Sequence, residues 1–333
     1  MSKHDVILSV RDLQKYFDVV TRQIVGSKVT GKVHAVDGID FDVYRGETLG
    51  LVGESGCGKT TTARTILGLT PASGGEVLYN GVDILDLWKS GSREEKMAYR
   101  RKLKLVFQNP WTSLNPRMPV KDIVSEGFNI HGIVEKADAR DRLYTLLKEV
   151  GLEPYHAERF PHQFSGGQRQ RIVIARALSV DPEFIFADEP VASLDVSIRA
   201  QILNLMTDLQ ARKNLTYVYI SHDLASVRQI CARVIVMYLG EIVEYGPVKD
   251  IFENMEHHYT EALMKAIPVP DPDRSRERIV LWGEVPSPIN PPSGCRFHTR
   301  CPAAQEKCRK EKPPFEKAKG GHYYACWFPV SRS

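Results

Sequence analysis

A glycine-rich run in the first quarter of the chain has the residue types that hold phosphate. Gly53-Glu54-Ser55-Gly56-Cys57-Gly58-Lys59-Thr60, followed by Thr61, fits the pattern G-x-x-x-x-G-K-[ST]. Glycines let backbone N–H groups wrap around an anion, a lysine supplies a mobile cation, and a threonine hydroxyl can ligate Mg²⁺. The apolar run 48–52 before the loop predicts a strand, and the spacing over 60–69 predicts a helix. Because a phosphate loop requires that context, we expect an ATP site here rather than a chance turn.

Two acidic residues follow a second apolar run. Phe184-Ile-Phe-Ala-Asp188-Glu189 is typical of a short buried strand that ends at its first acid. At such a position Asp188 would hold a metal ion through water, and Glu189 would polarise an attacking water molecule. Two acids alone at a loop are more often solvated and idle. Located well downstream of a phosphate loop, they indicate ATP hydrolysis.

The composition of the chain is that of an ordinary water-compatible protein. It has 333 residues, of which 42% are hydrophobic and 26% charged, enough for one large α/β domain and a smaller appendage. A net charge of +4 is too small to argue for a nucleic-acid partner. No apolar run approaches the roughly 18–20 residues that span a bilayer, and no signal peptide is apparent. We therefore expect a cytosolic protein, peripheral if it serves a membrane.

Alternating strands and helices predict a parallel α/β sheet. Residues 18–32 are expected to form an exposed hairpin or loop, and 109 to about 160 an inserted helical region broken by prolines. The predicted helices are 60–69, 92–104 and 197–212. The predicted strands are 6–13, 33–43, 48–52, 76–79, 104–107, 184–187, 215–220 and 233–238.

A further run, Phe164-Ser165-Gly166-Gly167-Gln168, resembles the signature motif of ATP-binding cassette (ABC) proteins. The resemblance covers roughly residues 6–260, because other motifs match in order. Gln108 resembles the Q-loop glutamine, Asp195 in Ser-Leu-Asp resembles the D-loop, and His222 resembles the switch histidine. The aromatic that stacks on adenine is expected to be Phe17, with Tyr16 as the alternative.

The resemblance implies a fold and a set of roles. The fold is a RecA-like P-loop core with an N-terminal antiparallel β subdomain and an inserted helical and signature subdomain at 109–180. Mg²⁺ would be held through Thr60, Gln108 and Asp188, while Lys59, Glu189 and His222 would be catalytic. Ser165 to Gln168 would contact the ATP of a partner subunit at a helix N-terminus, so hydrolysis would require a dimer.

The amino-acid composition of the chain changes after residue 267. Proline-rich runs at 268–273 and 286–292 predict a linker, which gives an ATPase domain at 1–267 and an extension at 268–333. Gly294-Cys-Arg-Phe-His-Thr-Arg-Cys-Pro302 resembles the C-terminal extension of ATPase subunits of oligopeptide/dipeptide importers. From residue 296 onward there are nine Lys or Arg against three Glu, so the extension is basic. We expect ATP binding to be independent of it.

Four of the six cysteines cluster in the extension, at Cys295, Cys301, Cys308 and Cys326. Disulfides are disfavoured in a reducing cytosol, and the tight C-x2-4-C knuckles of structural zinc sites are absent. Four thiolates in a loop-rich module suit a [4Fe–4S] cluster, whose negative charge the neighbouring basic residues would offset. The resemblance to these importers also implies such a cluster here. Zinc and four free thiols remain the alternatives, and the role is expected to be structural.

The sequence therefore predicts a peripheral ATPase subunit that powers uptake of peptides or a related solute, such as nickel, glutathione or oligosaccharides. Its expected partners are a second, different ABC ATPase, two transmembrane permease subunits and an extracytoplasmic solute-binding protein. The alternatives are a soluble ABC ATPase of translation or DNA repair, and an exporter ATPase. Single-cassette length, the short helical insertion and the lack of a fused membrane domain disfavour both.

Overall fold

A computed structural model describes residues 5–22, 27–135, 137–266 and 283–330. Twelve strands are found in these ranges: β1 (Val6–Arg22), β2 (Ser27–Tyr44), β3 (Thr48–Val52), β4 (Gly74–Tyr79), β5 (Val82–Asp83), β6 (Leu103–Val106), β7 (Phe184–Asp188), β8 (Thr216–Ser221), β9 (Arg233–Tyr238), β10 (Glu241–Pro247), β11 (Glu316–Lys317) and β12 (Tyr323–Tyr324).

The same ranges contain twelve α-helices: α1 (Lys59–Ile66), α2 (Ile84–Ser90), α3 (Arg93–Lys102), α4 (Pro110–Ser113), α5 (Val120–Ile130), α6 (Ala139–Glu149), α7 (Gly166–Leu178), α8 (Val196–Lys213), α9 (Leu224–Ile230), α10 (Val248–Glu253), α11 (His258–Lys265) and α12 (Glu306–Lys310). Three short 3₁₀ turns cover Pro154–Glu158, Pro161–Gln163 and Lys319–Gly321.

The chain divides into two compact units, each built from separated segments. The first unit contains Asp5, Tyr44–Thr48 and Asp86–Ser221. Its strands β6, β7 and β8 pair in parallel, in the order β8-β7-β6, and every residue of β7 and β8 is buried. Helices α3 to α8 belong to this unit. Continuous burial explains why these strands are short runs of Val, Ile, Phe and Tyr rather than alternating patterns.

The second unit contains Val6–Val43, Leu49–Leu85 and the described residues from His222 onward. One of its sheets has the order β2-β1-β4-β5, in which β1 with β4 and β4 with β5 are antiparallel. In the other, β3 pairs in parallel with β9, and β10 pairs antiparallel with β9. The parallel α/β arrangement that the sequence predicts is confirmed, as is an antiparallel sheet near the N-terminus.

Of the exposed hairpin or loop expected at 18–32, the described residues form the two arms of a hairpin. Strand β1 continues to Arg22, and β2 begins at Ser27. The two strands are neighbours in one sheet, and the Thr30 hydroxyl donates to the Val19 carbonyl at 3.2 Å. Pairing therefore satisfies the backbone although side chains such as Val20 are exposed.

The C-terminal segment joins the second unit rather than standing apart. Strand β12 pairs antiparallel with β10, placing Tyr324 opposite Glu244, and β11 pairs with β12. Phe297 and Tyr324 are 1% and 2% exposed. The division at 267/268 stays a prediction, because the proposed linker at 268–273 lies outside the described residues. The segment and the phosphate loop belong to one compact unit rather than to separate ones. That ATP binding is independent of the segment stays a prediction.

Among the residues that the structure describes, no helix combines the length and apolarity that crossing a membrane would require.

Candidate functional site

The phosphate loop lies between strand β3 and helix α1, as the sequence predicts. Two of its glycines admit no other residue. Gly53 and Gly58 have φ of +150° and +112°, and a Cβ on either would lie 2.2 Å from a backbone oxygen, that of Met237 or Ala35. The loop is thus pressed against neighbouring backbone, while Ser55 and Gly56 at its tip are exposed. An exposed glycine-rich loop tip directly before the start of α1 is a geometry typical of anion binding.

Lys59 is the first residue of α1 and is 6% exposed. Its ammonium donates to the carbonyl oxygens of Gly53 at 2.7 Å and Glu54 at 2.9 Å, and lies 3.6 Å from the Cys57 sulfur. The cation therefore sits inside the curve of the loop, where a phosphate oxygen would meet it. Burial raises the pKa of the Cys57 thiol, so this thiol is neutral at physiological pH.

Thr60 and Thr61 follow in the first turn of α1, and both are half-buried. Thr62, one residue further, is fully buried and its hydroxyl donates to the Gly58 carbonyl at 3.1 Å. The helix start is thus fixed from inside by Thr62. The hydroxyl-bearing residues Thr60 and Thr61 lie nearer the surface.

Glu54 has hydrogen-bond partners, at both its backbone and its side chain, that the sequence did not predict. Its backbone N–H donates to the Tyr259 hydroxyl at 2.8 Å. Its two carboxylate oxygens accept from the two terminal nitrogens of Arg300, at 2.7 and 3.1 Å. No local pattern signals this pair, because the two residues are 246 positions apart. Glu54 is half-buried in the loop that we expected to bind ATP.

The two aromatic candidates near the N-terminus have different surroundings. Phe17 is 41% exposed, with the Lys15 ammonium 4.7 Å from the ring centroid. The Tyr16 hydroxyl donates to Asp37 at 2.5 Å, and burial together with that bond raises its pKa to about 12. Tyr16 is therefore tied into the second unit, whereas the Phe17 ring is the one accessible to a flat ligand.

His222, the expected switch histidine, is exposed and directly follows strand β8 along the chain. The next residue, Asp223, caps helix α9 by accepting from the Ala225 N–H at 3.2 Å. The histidine is thus fixed at a strand-to-helix turn.

Within the first unit, the structure brings Gln108 and Glu189 together. Asp188 is the last residue of β7 and is 4% exposed. Glu189 has φ of +47°, and its N–H donates to the Ile220 carbonyl at 2.9 Å. The Gln108 side-chain amide donates to the Glu189 carboxylate at 2.7 Å. A left-handed non-glycine residue costs of order 1–3 kcal/mol and is frequent at functional sites, where surrounding bonds hold it.

The signature run forms the start of helix α7. Ser165 is the N-cap, its hydroxyl accepts from the Gln168 N–H at 3.3 Å, and the Gln168 side chain accepts from the Ser165 N–H at 3.1 Å. A Cβ on Gly167 would lie 2.4 Å from the Ile198 side chain, and one on Gly166 3.3 Å from Leu194. The run is thus a capped helix N-terminus that packs closely against the segment containing the D-loop.

Asp195, the expected D-loop residue, is the N-cap of α8. Its carboxylate accepts from the Ile198 N–H and the Ser197 hydroxyl, both at 2.9 Å. The Ile198 N–H lowers the pKa of this carboxyl group. A helix-capping role therefore already accounts for the residue type here.

Two residues of the helical region differ in exposure. Trp111 on α4 is 62% exposed, and the Arg169 guanidinium lies 3.2 Å from its ring centroid. Leu114, three residues further along the chain, is 2% exposed and belongs to the core.

Four cysteines line one pocket of the second unit: Cys295, Cys301, Cys308 and Cys326. The pocket is narrow, about 10 Å³, and its other walls include His257, His258, His298 and Phe297. None of the four is in a disulfide. Burial raises the pKa of Cys295 and Cys326 to about 12 and that of Cys301 to about 11. In the described part of the chain, no group of three or more His, Cys, Asp or Glu side chains is arranged to hold a metal ion.

Several basic residues that we expected to offset a cluster's charge have acidic partners instead. Arg296 pairs with Asp37 and also with Glu241, at 3.3 Å for the latter. Lys312 lies 2.9 Å from the same Glu241 carboxylate. Together with Arg300, these residues attach the C-terminal segment to the rest of its unit.

Two family models match the chain. Residues 36–192 match the model described as ABC transporter, and residues 243–308 match the model for the C-terminal region of oligopeptide/dipeptide transporters.

Curated relatives match nearly the whole length. The oligopeptide transport ATP-binding protein AppF of Bacillus subtilis is 48% identical over 329 residues, covering 98% of each chain. The oligopeptide transport ATP-binding protein OppF of Salmonella typhimurium is 46% identical, covering 95% of this chain and 94% of its own.

Two solved structures of ABC proteins superpose on this chain. The cbiO1 protein of Clostridium perfringens, part of the ABC transporter complex cbiONQ, superposes with a TM-score of 0.63 at 29% identity, covering 75% of this chain and 92% of its own. The ATP-binding cassette MJ0796, in a dimeric post-hydrolysis state bound to ADP and Pi, gives a TM-score of 0.61 at 27% identity, covering 72% and 98%.

Proposed function

This chain belongs to the ATP-binding subunits of oligopeptide ABC transporters, and we propose that it hydrolyses ATP to power uptake of peptides through a membrane importer. The observation that carries the proposal is identity of 48% over 98% of the chain to an oligopeptide transport ATP-binding protein. The match of residues 243–308 to the C-terminal region of such transporters supports importer membership, and disfavours a soluble ABC protein of translation or repair.

The phosphate loop is proposed to bind ATP through the backbone of 53–61 and the Lys59 ammonium. The position of Lys59 inside the loop supports this role. Thr60 is proposed as a direct ligand of Mg²⁺, which neutralises charge on the phosphates when bound. Phe17 is proposed to stack on the adenine, because its ring is accessible while Tyr16 is held by Asp37.

Glu189 is proposed to act as the general base that orients and deprotonates the attacking water. Its bond to Gln108 supports a shared role, in which Gln108 reports the state of the metal and its water. Asp188 at the end of β7 is proposed to contact the metal through water, and His222 to contact the γ-phosphate. A positioned base of this kind contributes about 10²–10⁴-fold in rate.

Ser165 to Gln168 are proposed to serve the ATP of a partner subunit, with Asp195 in the adjoining D-loop. The capped N-terminus of α7 supports anion binding at this position. The partner is proposed to be a second, different ABC ATPase. Two permease subunits and an extracytoplasmic solute-binding protein complete the proposed importer, which places this chain at the cytoplasmic face of the membrane.

Reconstitution tests this function. The chain is assembled with its co-encoded ATPase, permeases and binding protein in proteoliposomes, and ATP hydrolysis and peptide uptake are both measured. We expect hydrolysis to be stimulated by the peptide-loaded binding protein and lost in Lys59→Ala. Hydrolysis without any assembly on permeases would favour the soluble alternative.

We further propose that Cys295, Cys301, Cys308 and Cys326 hold a [4Fe–4S] cluster with a structural role. Their convergence on one pocket from separate parts of the segment supports this, as does the family resemblance. Because burial raises the thiol pKa values of Cys295, Cys301 and Cys326, a bound metal would be needed to make these three groups thiolates at neutral pH. The pocket is narrow, so binding a cluster requires the four side chains to move apart.

Anaerobic purification tests the cluster. We expect brown protein with about four irons per chain, as a [4Fe–4S] site requires, and bleaching by any single Cys→Ser change. Cys231→Ser, in the same unit but away from that pocket, is the matched control. Colourless protein with one zinc would replace the cluster with a zinc site, and metal-free folded protein would leave four free thiols.

A further inference from the structure

Arg300, one residue before Cys301, reaches the phosphate loop. Its guanidinium donates two hydrogen bonds to the two carboxylate oxygens of Glu54, at 2.7 and 3.1 Å. The Arg300 side chain is 5% exposed and that of Glu54 is 24% exposed. A two-bond pair of this geometry fixes direction as well as distance. Solvent screens it less than it screens a surface ion pair.

The pair rests on a cluster of aromatic rings. Tyr238, Tyr259 and Phe297 have ring centroids 4.7 to 5.4 Å apart. The Tyr259 hydroxyl accepts the Glu54 N–H at 2.8 Å, and the Tyr238 hydroxyl lies 3.4 Å from Arg300. Glu54 is therefore held at its backbone and at its side chain. One support comes from α11 and the other from the C-terminal segment.

The charge of Glu54 needs this partner. A carboxylate in a loop that binds about four phosphate charges repels the ligand unless a cation neutralises it. Lys59 does not serve, because its ammonium is directed to loop carbonyls rather than to the Glu54 carboxylate. Arg300 makes an ion pair with Glu54 while leaving the exposed tip of the loop open.

We propose that Arg300 is a positioning residue for ATP binding: through Glu54 it fixes the phosphate loop and cancels a carboxylate that would otherwise repel the nucleotide. The inference rests on the proposed ATP site at 53–61. It extends the proposed function by making the C-terminal segment part of the nucleotide-binding machinery.

Binding of a fluorescent ATP analogue tests the inference. The dissociation constant is measured for the full chain and for Arg300→Gln, Arg300→Lys, Glu54→Gln and the double variant Glu54→Gln/Arg300→Gln. We expect Arg300→Gln to weaken binding by about tenfold, the loss typical of removing a charge-assisted bond. Arg300→Lys keeps the charge without the fork, so its loss should be smaller. The double variant leaves no unpaired carboxylate and should recover most of the affinity.

Lys310→Gln is the matched control, since it removes one positive charge from an exposed pair in the same segment. It should bind like the unsubstituted chain. In the reconstituted importer, Arg300→Gln should raise KM for ATP about tenfold and change kcat by less than about twofold.

Each outcome has a distinct meaning. Unchanged affinity in Arg300→Gln overturns the positioning role, and a double variant as weak as that single variant overturns the part of it that assigns the loss to the unpaired Glu54 charge. The proposed ATP site itself is judged separately by Lys59→Ala. If the unsubstituted chain fails to bind the analogue, or Lys59→Ala binds it normally, the site assignment fails rather than the Arg300 inference alone.

Discussion

Glu244 is expected to attach the C-terminal segment to the rest of its unit. It lies on β10, opposite Tyr324 of β12, and is 0% exposed. Its carboxylate accepts from the Glu256 N–H at 2.7 Å and the His257 N–H at 3.0 Å, and lies 2.6 Å from His322 Nε2. Replacing it with alanine leaves the two backbone N–H groups without this acceptor and the His322 ring nitrogen without its carboxylate partner.

The size of the loss follows from that count. An unsatisfied donor in the protein interior costs about 1–3 kcal/mol, so the two backbone N–H groups together account for about 2–6 kcal/mol. Partial relaxation and water entry reduce the sum, so we expect about 3–4 kcal/mol of local stability to be lost in Glu244→Ala. If the Glu256 and His257 amide hydrogens exchange when the C-terminal segment opens, this loss makes their exchange about 10²–10³-fold faster.

Hydrogen–deuterium exchange read at those two amides is the assay, because a chain of two compact units need not unfold in one step. Glu244→Gln keeps a carbonyl acceptor and should lose less. Glu306→Ala removes an exposed glutamate from the same segment and should change nothing at these amides. Unchanged protection at both amides in a folded Glu244→Ala protein would refute the reasoning.

Three further predictions concern the ATPase cycle. Glu189→Gln should bind ATP normally but hydrolyse it about 10²–10⁴-fold more slowly in the full importer, because the attacking water loses its base. The variant should also accumulate a closed dimer visible by size-exclusion chromatography. Near-normal turnover would remove Glu189 from the mechanism. Ser165→Ala should lower hydrolysis in the assembled ATPase pair without weakening ATP binding to the isolated chain, and weaker binding there would place the signature at its own chain's nucleotide. Trp111→Ala, which exposes Arg169, should uncouple ATP hydrolysis from peptide uptake at unchanged ATP affinity. Tyr155→Ala is the control, because the Tyr155 ring is similarly exposed. Loss of ATP affinity in Trp111→Ala would assign the tryptophan to the nucleotide-binding core.

Strands that are buried along nearly their whole length are where the predictions from sequence were most accurate. The predicted runs 48–52 and 233–238 coincide with β3 and β9, and 184–187 misses only the last residue of β7. A short apolar run closed by glycine or an acid leaves little freedom in its bounds. The position of the phosphate loop between a strand and a helix followed from the same pattern, whereas the helix that starts at the signature run was expected only from the family resemblance.

Pairing between distant segments is where sequence reasoning failed. The outer parts of strands β1 and β2 were expected only as a hairpin or loop, because exposed side chains such as Val20 and Val29 give no pattern that marks where each strand ends. Strand β12 has two residues and is a strand because it pairs with β10 and β11. Its partners on β10 lie far along the chain, and periodicity does not report them.

In the segment that contains the four cysteines, the sequence pattern did not reveal which partners its arginines have. In sequence, Arg296 and Arg300 stand beside Cys295 and Cys301, which made charge compensation of a cluster the natural interpretation. In the structure both arginines turn to carboxylates of the unit that contains the phosphate loop. Since Glu54 is a variable position of the loop pattern, nothing in that pattern asks for a partner. The loop's glycines and lysine define what it binds, but a residue more than two hundred positions away determines how firmly one side of it is held. A metal site at the cysteines, if present, would therefore order the same backbone that carries Arg300 to the nucleotide loop.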